Sequence, residues 1–281
     1  MKYGVAIFPT DYSIHPSALG AALEERGFES LWVAEHSHIP VSRRTPWPGG
    51  GELPKMYYDA MDPFVTLAMA GAVTKKLRLG TGICLVVQRD PIQTAKEVAS
   101  LDVTTGGRVL FGVGGGWNEE EMNNHGTQLS GRWKLLRERI EAMKAIWTQK
   151  EASYHGEHVR FDPIYAWPKP VQKPHPPIHV GGAYPGGMRR AIKYGDGWIP
   201  ILGRGENVAD LMPAFRKEAV AAGRDPDKLE VSVYGCPPQK ELITRLRDAG
   251  VTRAVFFVPS AKDDVVLPAL DTQAELAGAV G

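Results

Sequence analysis

Residues 77–116 read LRLGTGICLVVQRDPIQTAKEVASLDVTTGGRVLFGVGGG. Two apolar runs, LRLGTGICLVV from Leu77 and RVLFGVG from Arg108, are separated by an amphipathic helical stretch that closes on a glycine turn. Strands that are apolar on both faces and alternate with helices imply a parallel sheet covered by helices.

Working outward, the same unit recurs. GVAIFP from Gly4, SLWVAE from Ser30, PIHVGG from Pro177, GWIPI from Gly197, EVSVYG from Glu230 and AVFFVP from Ala254 bring the candidate strands to eight. Helices are predicted over 17–26, stopping at Gly27, and over 132–150, 209–222, 239–249 and 267–280. In the second of these Trp133, Leu136, Ile140, Met143 and Trp147 form one apolar stripe. Lys134, Arg137, Glu138, Glu141 and Lys144 read as its charged solvent face.

Eight such units in 281 residues match an α/β closed (β/α)8 TIM barrel, for which about 250 residues is typical. A doubly wound open sheet would carry G-x-G-x-x-G after its first strand, where this chain has FPTDYSIHPS. We therefore read 1–281 as a single barrel domain with two insertions. Residues 36–60, after the second strand, are rich in Pro and Gly with aromatics and read as a lid. Residues 151–175, between strands four and five, hold a hairpin (ASYHGEHVRF) and a proline-rich extended run, and read as a rim element.

Composition excludes other classes. Lys plus Arg (33) and Asp plus Glu (32) leave a formal charge of +1, so there is no basic footprint for nucleic acid or anionic membrane. No apolar run approaches the roughly 18 residues of a membrane span. The start, MKYGVAIFPTDYS, reads as a strand rather than a signal peptide. Two cysteines, Cys84 and Cys236, make no disulfide framework, and a reducing, cytoplasmic setting is expected. Glycine, 31 of 281, is about 11% against a usual 7% or so.

Those glycines collect at strand ends, where barrel active sites form. Strand three carries Gly80 and Gly82, strand four ends GVGGGWNEEEM, and strand five ends HVGGAYPGGMRRA. Glycine there lets a ligand touch backbone, and a helix starting just beyond favours an anion. Gly181, Gly182 and Ala183, before a helix beginning near Gly186, have that arrangement. After strand two come Glu35, His36, Ser37 and His38. His36 and His38 could form a metal pair, but further ligands are lacking at other strand ends, so no metal is expected. Glu119, Glu120 and Glu121 read as the acidic first turn of a helix, with an inward-pointing member left open.

The blocks ERGFESLWVAEH, LRLGTGICLVVQRDPIQTAKEVASLD, GGRVLFGVGGGWNEEEM, RWKLLRERIEAMKAIW, PKPVQKPHPPIHVGG and GDGW, in this order and spacing, resemble the bacterial luciferase-like flavin and deazaflavin oxidoreductases. The likeness covers nearly the whole chain and is strongest to the subgroup using the deazaflavin coenzyme F420. It implies a bulge with a non-prolyl cis peptide at Gly82-Ile83 that props the coenzyme ring, and a catalytic His36 near the reacting face with Glu35 beside it. It further implies a coenzyme phosphate on the backbone of Gly181, Gly182 and Ala183, with Gly115, Gly116 and Asn118 walling the ribityl chain.

Two departures from the family refine this. Luciferases proper place an arginine, which holds the FMN phosphate, where this chain has Gly115, which favours the deazaflavin over FMN. Sugar-phosphate dehydrogenases of the family place a glutamate where this chain has Trp117. The expectation is an F420-dependent oxidoreductase exchanging a hydride with a small organic substrate. Alternatives are an FMN-dependent luciferase-type monooxygenase, a metal-dependent barrel hydrolase using His36 and His38, and a barrel that binds without chemistry. Trp47, Tyr57 and Tyr58 either shape an apolar pocket or pin the lid. Related proteins are often dimers through the helices near strands two and three, so a homodimer is an open expectation.

Overall fold

Every expected apolar run lies in one closed sheet. The computed structural model describes residues 1–201 and 207–281. Its strands are β1 (Lys2–Ile7), β2 (Ser30–Val33), β3 (Arg78–Thr81), β4 (Val109–Val113), β5 (Ala152–His155), β6 (Arg160–Ile164), β7 (Ile178–Gly181), β8 (Gly197–Ile199), β9 (Glu230–Tyr234) and β10 (Arg253–Phe257). Going round the barrel, the order is β1, β2, β3, β4, β7, β8, β9, β10 and back to β1. All of these pairs are parallel. This is the TIM barrel. β5 and β6 form the expected antiparallel hairpin outside it.

The helices are α1 (Pro16–Glu25), α2 (Pro63–Val73), α3 (Pro91–Thr104), α4 (Glu119–Asn124), α5 (Arg132–Thr148), α6 (Gly186–Tyr194), α7 (Val208–Ala221), α8 (Lys240–Asp248) and α9 (Asp263–Val280). Their starts follow local chemistry. Asp62 caps α2 by accepting from the Phe64 and Val65 amides, and Asp90 caps α3 by accepting from Gln93, each just ahead of a proline whose missing N–H costs nothing there. Leu136, Ile140, Met143 and Trp147 of α5 are buried as expected, and the Trp147 indole donates to the Ala95 carbonyl of α3 at 3.0 Å.

Two expectations need correction. The run from Leu77 is not one continuous strand: the ladder ends at Thr81, the Gly82-Ile83 peptide is cis as the family resemblance implied, and Cys84 rejoins β4 only through a bridge to Val113. The charged face of α5 is not all solvated either. Glu138 is buried because its carboxylate accepts from the His158 and Val159 amides at 2.7 and 3.1 Å, tying the hairpin to α5.

Inside the barrel, Ala6, Trp32, Leu110, Ile199, Tyr234 and Val255 pack together. Glycine makes room for the large rings: a Cβ on Gly80 would stand 2.5 Å from the Trp32 indole. Below this layer, at the N-terminal end, Arg253 is fully buried and pairs with Glu29 at 2.7 Å and Glu230 at 3.0 Å. The residues above it, at the C-terminal end, are therefore the ones free to carry chemistry.

Candidate active site

The chain leaves β2 through Ala34 into Glu35 and His36, both buried. Glu35 holds the neighbouring loop in place. One oxygen accepts from the Leu85 amide and the other from Arg89 Nε, both at 2.5 Å. Arg89 also reaches Asp62 and Glu97 at 2.8 Å each. Burial alone would pull this guanidinium's pKa down, but the facing carboxylates raise it above its ordinary value. Glu35 thus clamps the segment that follows the cis Gly82-Ile83 peptide.

His36 turns its Nδ1 to Glu121 Oε2 at 2.8 Å. Among the described residues its Nε2 has no hydrogen-bond partner. Glu121 comes from the third position of α4, whose N-cap is Asn118; Asn118 Oδ1 accepts from the Glu121 amide at 3.3 Å. In a capping box a glutamate here would reach back to the N-cap amide. Here its side chain goes to the histidine instead. Glu121 is fully buried, with Oε1 unpartnered. Of the three acidic residues in this turn, Glu119 is exposed and Glu120 belongs to the lid.

Aromatic rings close round His36. Tyr57 lies 5.3 Å from it and Trp117 5.9 Å, centroid to centroid. Tyr57 packs in turn on Phe8 at 4.5 Å and Trp47 at 5.9 Å, and the Arg43 guanidinium lies 5.8 Å above Trp117. Tyr57 and Trp47 therefore pin the 36–60 insertion, and Tyr57 also faces the histidine. Tyr58 instead is 48% exposed. Glu120 fastens the same insertion by accepting from the Arg44 and Thr45 amides at 2.8 and 3.1 Å and from the Thr45 hydroxyl. Burial works against its ionisation, but these donors outweigh it and draw the carboxyl down to about 2.

His36 and His38 do not share a partner. His38 bonds Ser37 Oγ at 2.9 Å and Asn124 Nδ2 at 2.8 Å, and Ser37 Oγ also bonds His125 Nε2 at 2.7 Å. Among the described residues no three His, Cys, Asp or Glu side chains are grouped to hold a metal ion.

The glycines build a shelf. Ile83, partly exposed, lies over Gly114 and Gly181: a Cβ on Gly114 would stand 1.8 Å from Ile83 Cδ1, and one on Gly181 3.2 Å from Ile83 Cγ2. Gly82 sits against Tyr234, whose hydroxyl is buried without a partner among the described residues. Asn118 Nδ2 and Gln88 Nε2 are likewise buried without partners among the described residues; the Gln88 nitrogen lies 3.7 Å from a Cβ built on Gly116. Gly115 abuts the Trp133 indole, Gly182 adopts φ +137°, and Ala183 is exposed at the start of the turn into α6. A partly exposed Ile83 seated on glycines and the unpaired buried polar atoms of Tyr234, Asn118 and Gln88 fit a flat, phosphate-bearing coenzyme.

Residues 17–241 match the luciferase-like monooxygenase family. The chain belongs to that family. It is 41% identical over 271 residues, 94% of each chain, to an uncharacterised protein of Mycobacterium tuberculosis. It is 32% identical over 211 residues to the F420-dependent hydroxymycolic acid dehydrogenase of the same organism, covering 74% of this chain and 54% of that one. Its fold matches that of an F420-dependent secondary alcohol dehydrogenase solved with an F420–acetone adduct, with TM-score 0.77, 20% identity and full coverage of both chains. The sequence singles out His36 and the glycine ends as candidates and leaves Glu121 open. The N-x-x-E spacing of Asn118 and Glu121 was the available signal, and it points to a cap as readily as to a dyad.

Proposed function

We propose that this family member is an oxidoreductase that binds coenzyme F420 on the Ile83 shelf and oxidises or reduces a small organic alcohol or carbonyl compound beneath the lid. The observation that carries the reading is the buried His36–Glu121 pair, 2.8 Å apart, which joins the loop after β2 to the first turn of α4. The F420-dependent relative supports the cofactor. Gly82, Ile83, Gly115, Gly116, Asn118, Gly181, Gly182 and Ala183 would line the coenzyme. Glu35 would act through the loop it clamps.

When bound, the deazaflavin supplies a two-electron hydride acceptor or donor. Oxidation of an alcohol releases a hydride from carbon and a proton from oxygen, and His36 Nε2 takes that proton; reduction runs the same transfer backwards. Glu121 accepts from Nδ1–H, which fixes the tautomer that leaves Nε2 free and stabilises the imidazolium once it forms. Phe8, Tyr57, Trp47 and Trp117 keep water from the ring and offer the guest apolar contact. Screening secondary alcohols and ketones against F420-loaded protein, by the change in coenzyme absorbance, tests this: turnover that vanishes in His36→Ala supports it, and turnover indifferent to that change refutes the histidine's role.

The exposed row Val65, Met69 and Val73 on α2 is apolar throughout. We propose that it pairs two copies of the chain, and sedimentation of wild type against Val65→Asp tests this.

A further inference from the structure

Arg190, one turn into α6, stacks its guanidinium on the Trp133 indole at 3.6 Å. Arg132 lies over the same ring at 4.4 Å. Two like charges on one partly buried indole repel each other. Among the described residues Arg190 makes no hydrogen bond and no ion pair, and its Nε is buried without a partner. Arg132 gives one bond, to the Leu129 carbonyl at 3.0 Å, and its Nε is likewise buried and unpaired. Burial pulls both guanidinium pKa values below the ordinary range, and for Arg190 the charge of Arg132 adds to the effect. Partly buried cations stacked this way, with no counter-charge among the described residues, are suited to receive an anion.

Position decides which anion. Arg190 Nη2 lies 3.2 Å from where a Cβ on Gly182 would stand, and Nη1 3.2 Å from a Cβ on Gly186. The fork therefore rests against the turn from β7 into α6, a helix with no side-chain cap and no acidic residue in its first turn. Trp133 meets the β4 turn as well, 2.5 Å from a Cβ placed on Gly115. We infer that Arg190, oriented by Trp133 and backed by Arg132, grips the phosphate of the bound coenzyme over the Gly182–Gly186 turn. This rests on the reading of the site as one for a flavin-type coenzyme, and it deepens that reading.

The consequence concerns cofactor choice. An arginine at position 115 is absent, yet a cation reaches the phosphate from α6 instead, so Gly115 does not itself disfavour FMN. Selection between deazaflavin and flavin then falls to the ring pocket. A planar fork grips phosphate through two donors, which a lysine cannot reproduce.

The test is equilibrium fluorescence titration of the full chain with two ligand pairs: FMN against riboflavin, and F420 against its phosphate-free ribityl deazaflavin. Wild type, Arg190→Met and Arg190→Lys are compared, with melting curves to confirm folding. Wild type should prefer the phosphate-bearing member of each pair it binds. Arg190→Met should cut that preference about tenfold or more while leaving the phosphate-free member within about threefold, with Arg190→Lys in between. If Arg190→Met does not fold, the lysine variant carries the comparison. Three results overturn the inference: an unchanged preference in Arg190→Met, no preference in wild type, or a loss confined to the F420 pair, which would place Arg190 on the tail beyond the phosphate. Wild type that binds none of the four ligands would instead refute the coenzyme reading itself, and the inference with it.

Discussion

Glu121 Oε2 lies 2.8 Å from His36 Nδ1, although the two residues are 85 positions apart and neither side chain is more than 6% exposed. The loop after β2 and the first turn of α4 meet at this contact. A buried carboxylate on one imidazole nitrogen leaves the other free, so in the proposed reaction the pair would act as a unit.

Residues that act as a unit give non-additive losses. His36→Ala is expected to lower kcat about 100- to 10,000-fold, the usual range for a positioned acid–base group. Glu121→Gln should lower kcat about 10- to 100-fold with little change in KM, because it removes about 1.4 to 2.7 kcal/mol of stabilisation from the charged imidazole. The double variant should be no slower than His36→Ala. Steady-state kinetics of the four proteins check this, and additive losses would contradict it.

Glu120 makes a second prediction, about the lid. Its carboxyl is held near 2 in the folded protein against 4.5 in the free side chain. The pKa is depressed on folding, so the tether is at full strength above about pH 4.5 and is lost as pH falls toward 2. Arg44 and Thr45 amide protection, measured by hydrogen exchange and corrected for intrinsic rates, should hold from pH 7 to 4.5 and then decline. Glu120→Ala should expose the Arg43-Arg44 pair to trypsin at neutral pH.

Two neighbouring glycines should behave oppositely when replaced by alanine. A Cβ on Gly112 would stand 1.9 Å from the Thr81 carbonyl oxygen, which is backbone and cannot move. Gly112→Ala should therefore cost about 3 kcal/mol or more in urea unfolding. A Cβ on Gly114 would meet only the end of the Ile83 side chain. Gly114→Ala should leave stability within about 1 kcal/mol and weaken coenzyme binding by displacing the shelf.

His179, at the N-terminal end of the barrel, should contribute to the loss of stability in mild acid. It is fully buried and its pKa is pushed down to about 4, first by burial and then by Arg253. A depressed histidine leaves stability unaffected above about pH 6.5, where both states are neutral, and removes it as pH falls toward 4, because only the unfolded chain takes the proton. The loss over that window is up to about 3 kcal/mol. Denaturant midpoints between pH 7 and 4 should fall in wild type and flatten in His179→Gln.

How far the sequence revealed this site differed from element to element. The eight strands were legible because each is a short apolar run bounded by turn residues, and burial on both faces leaves no other place for it. Their C-terminal glycines could be read as ligand-facing for the same reason. The end of β3 was legible only through the family resemblance, which placed a bulge and a cis peptide at Gly82-Ile83: LRLGTGICLVV is apolar throughout, and hydropathy alone does not show that the backbone turns at Gly82. Glu138 reads as solvated and Glu121 stays undecided in the sequence for a common physical reason. Each sits in a helix where a carboxylate is normally solvated, and only the hairpin or His36, brought from far along the chain, makes burial favourable. Arg190 escaped notice because its meaning depends on Trp133 and Gly182, which no local pattern joins to it.

The most direct measurement is equilibrium binding of oxidised F420 and of reduced FMN to the purified protein, side by side under anaerobic conditions. The account predicts saturable F420 binding that is tighter than binding of reduced FMN. Tight binding of reduced FMN with no measurable affinity for F420 would contradict it.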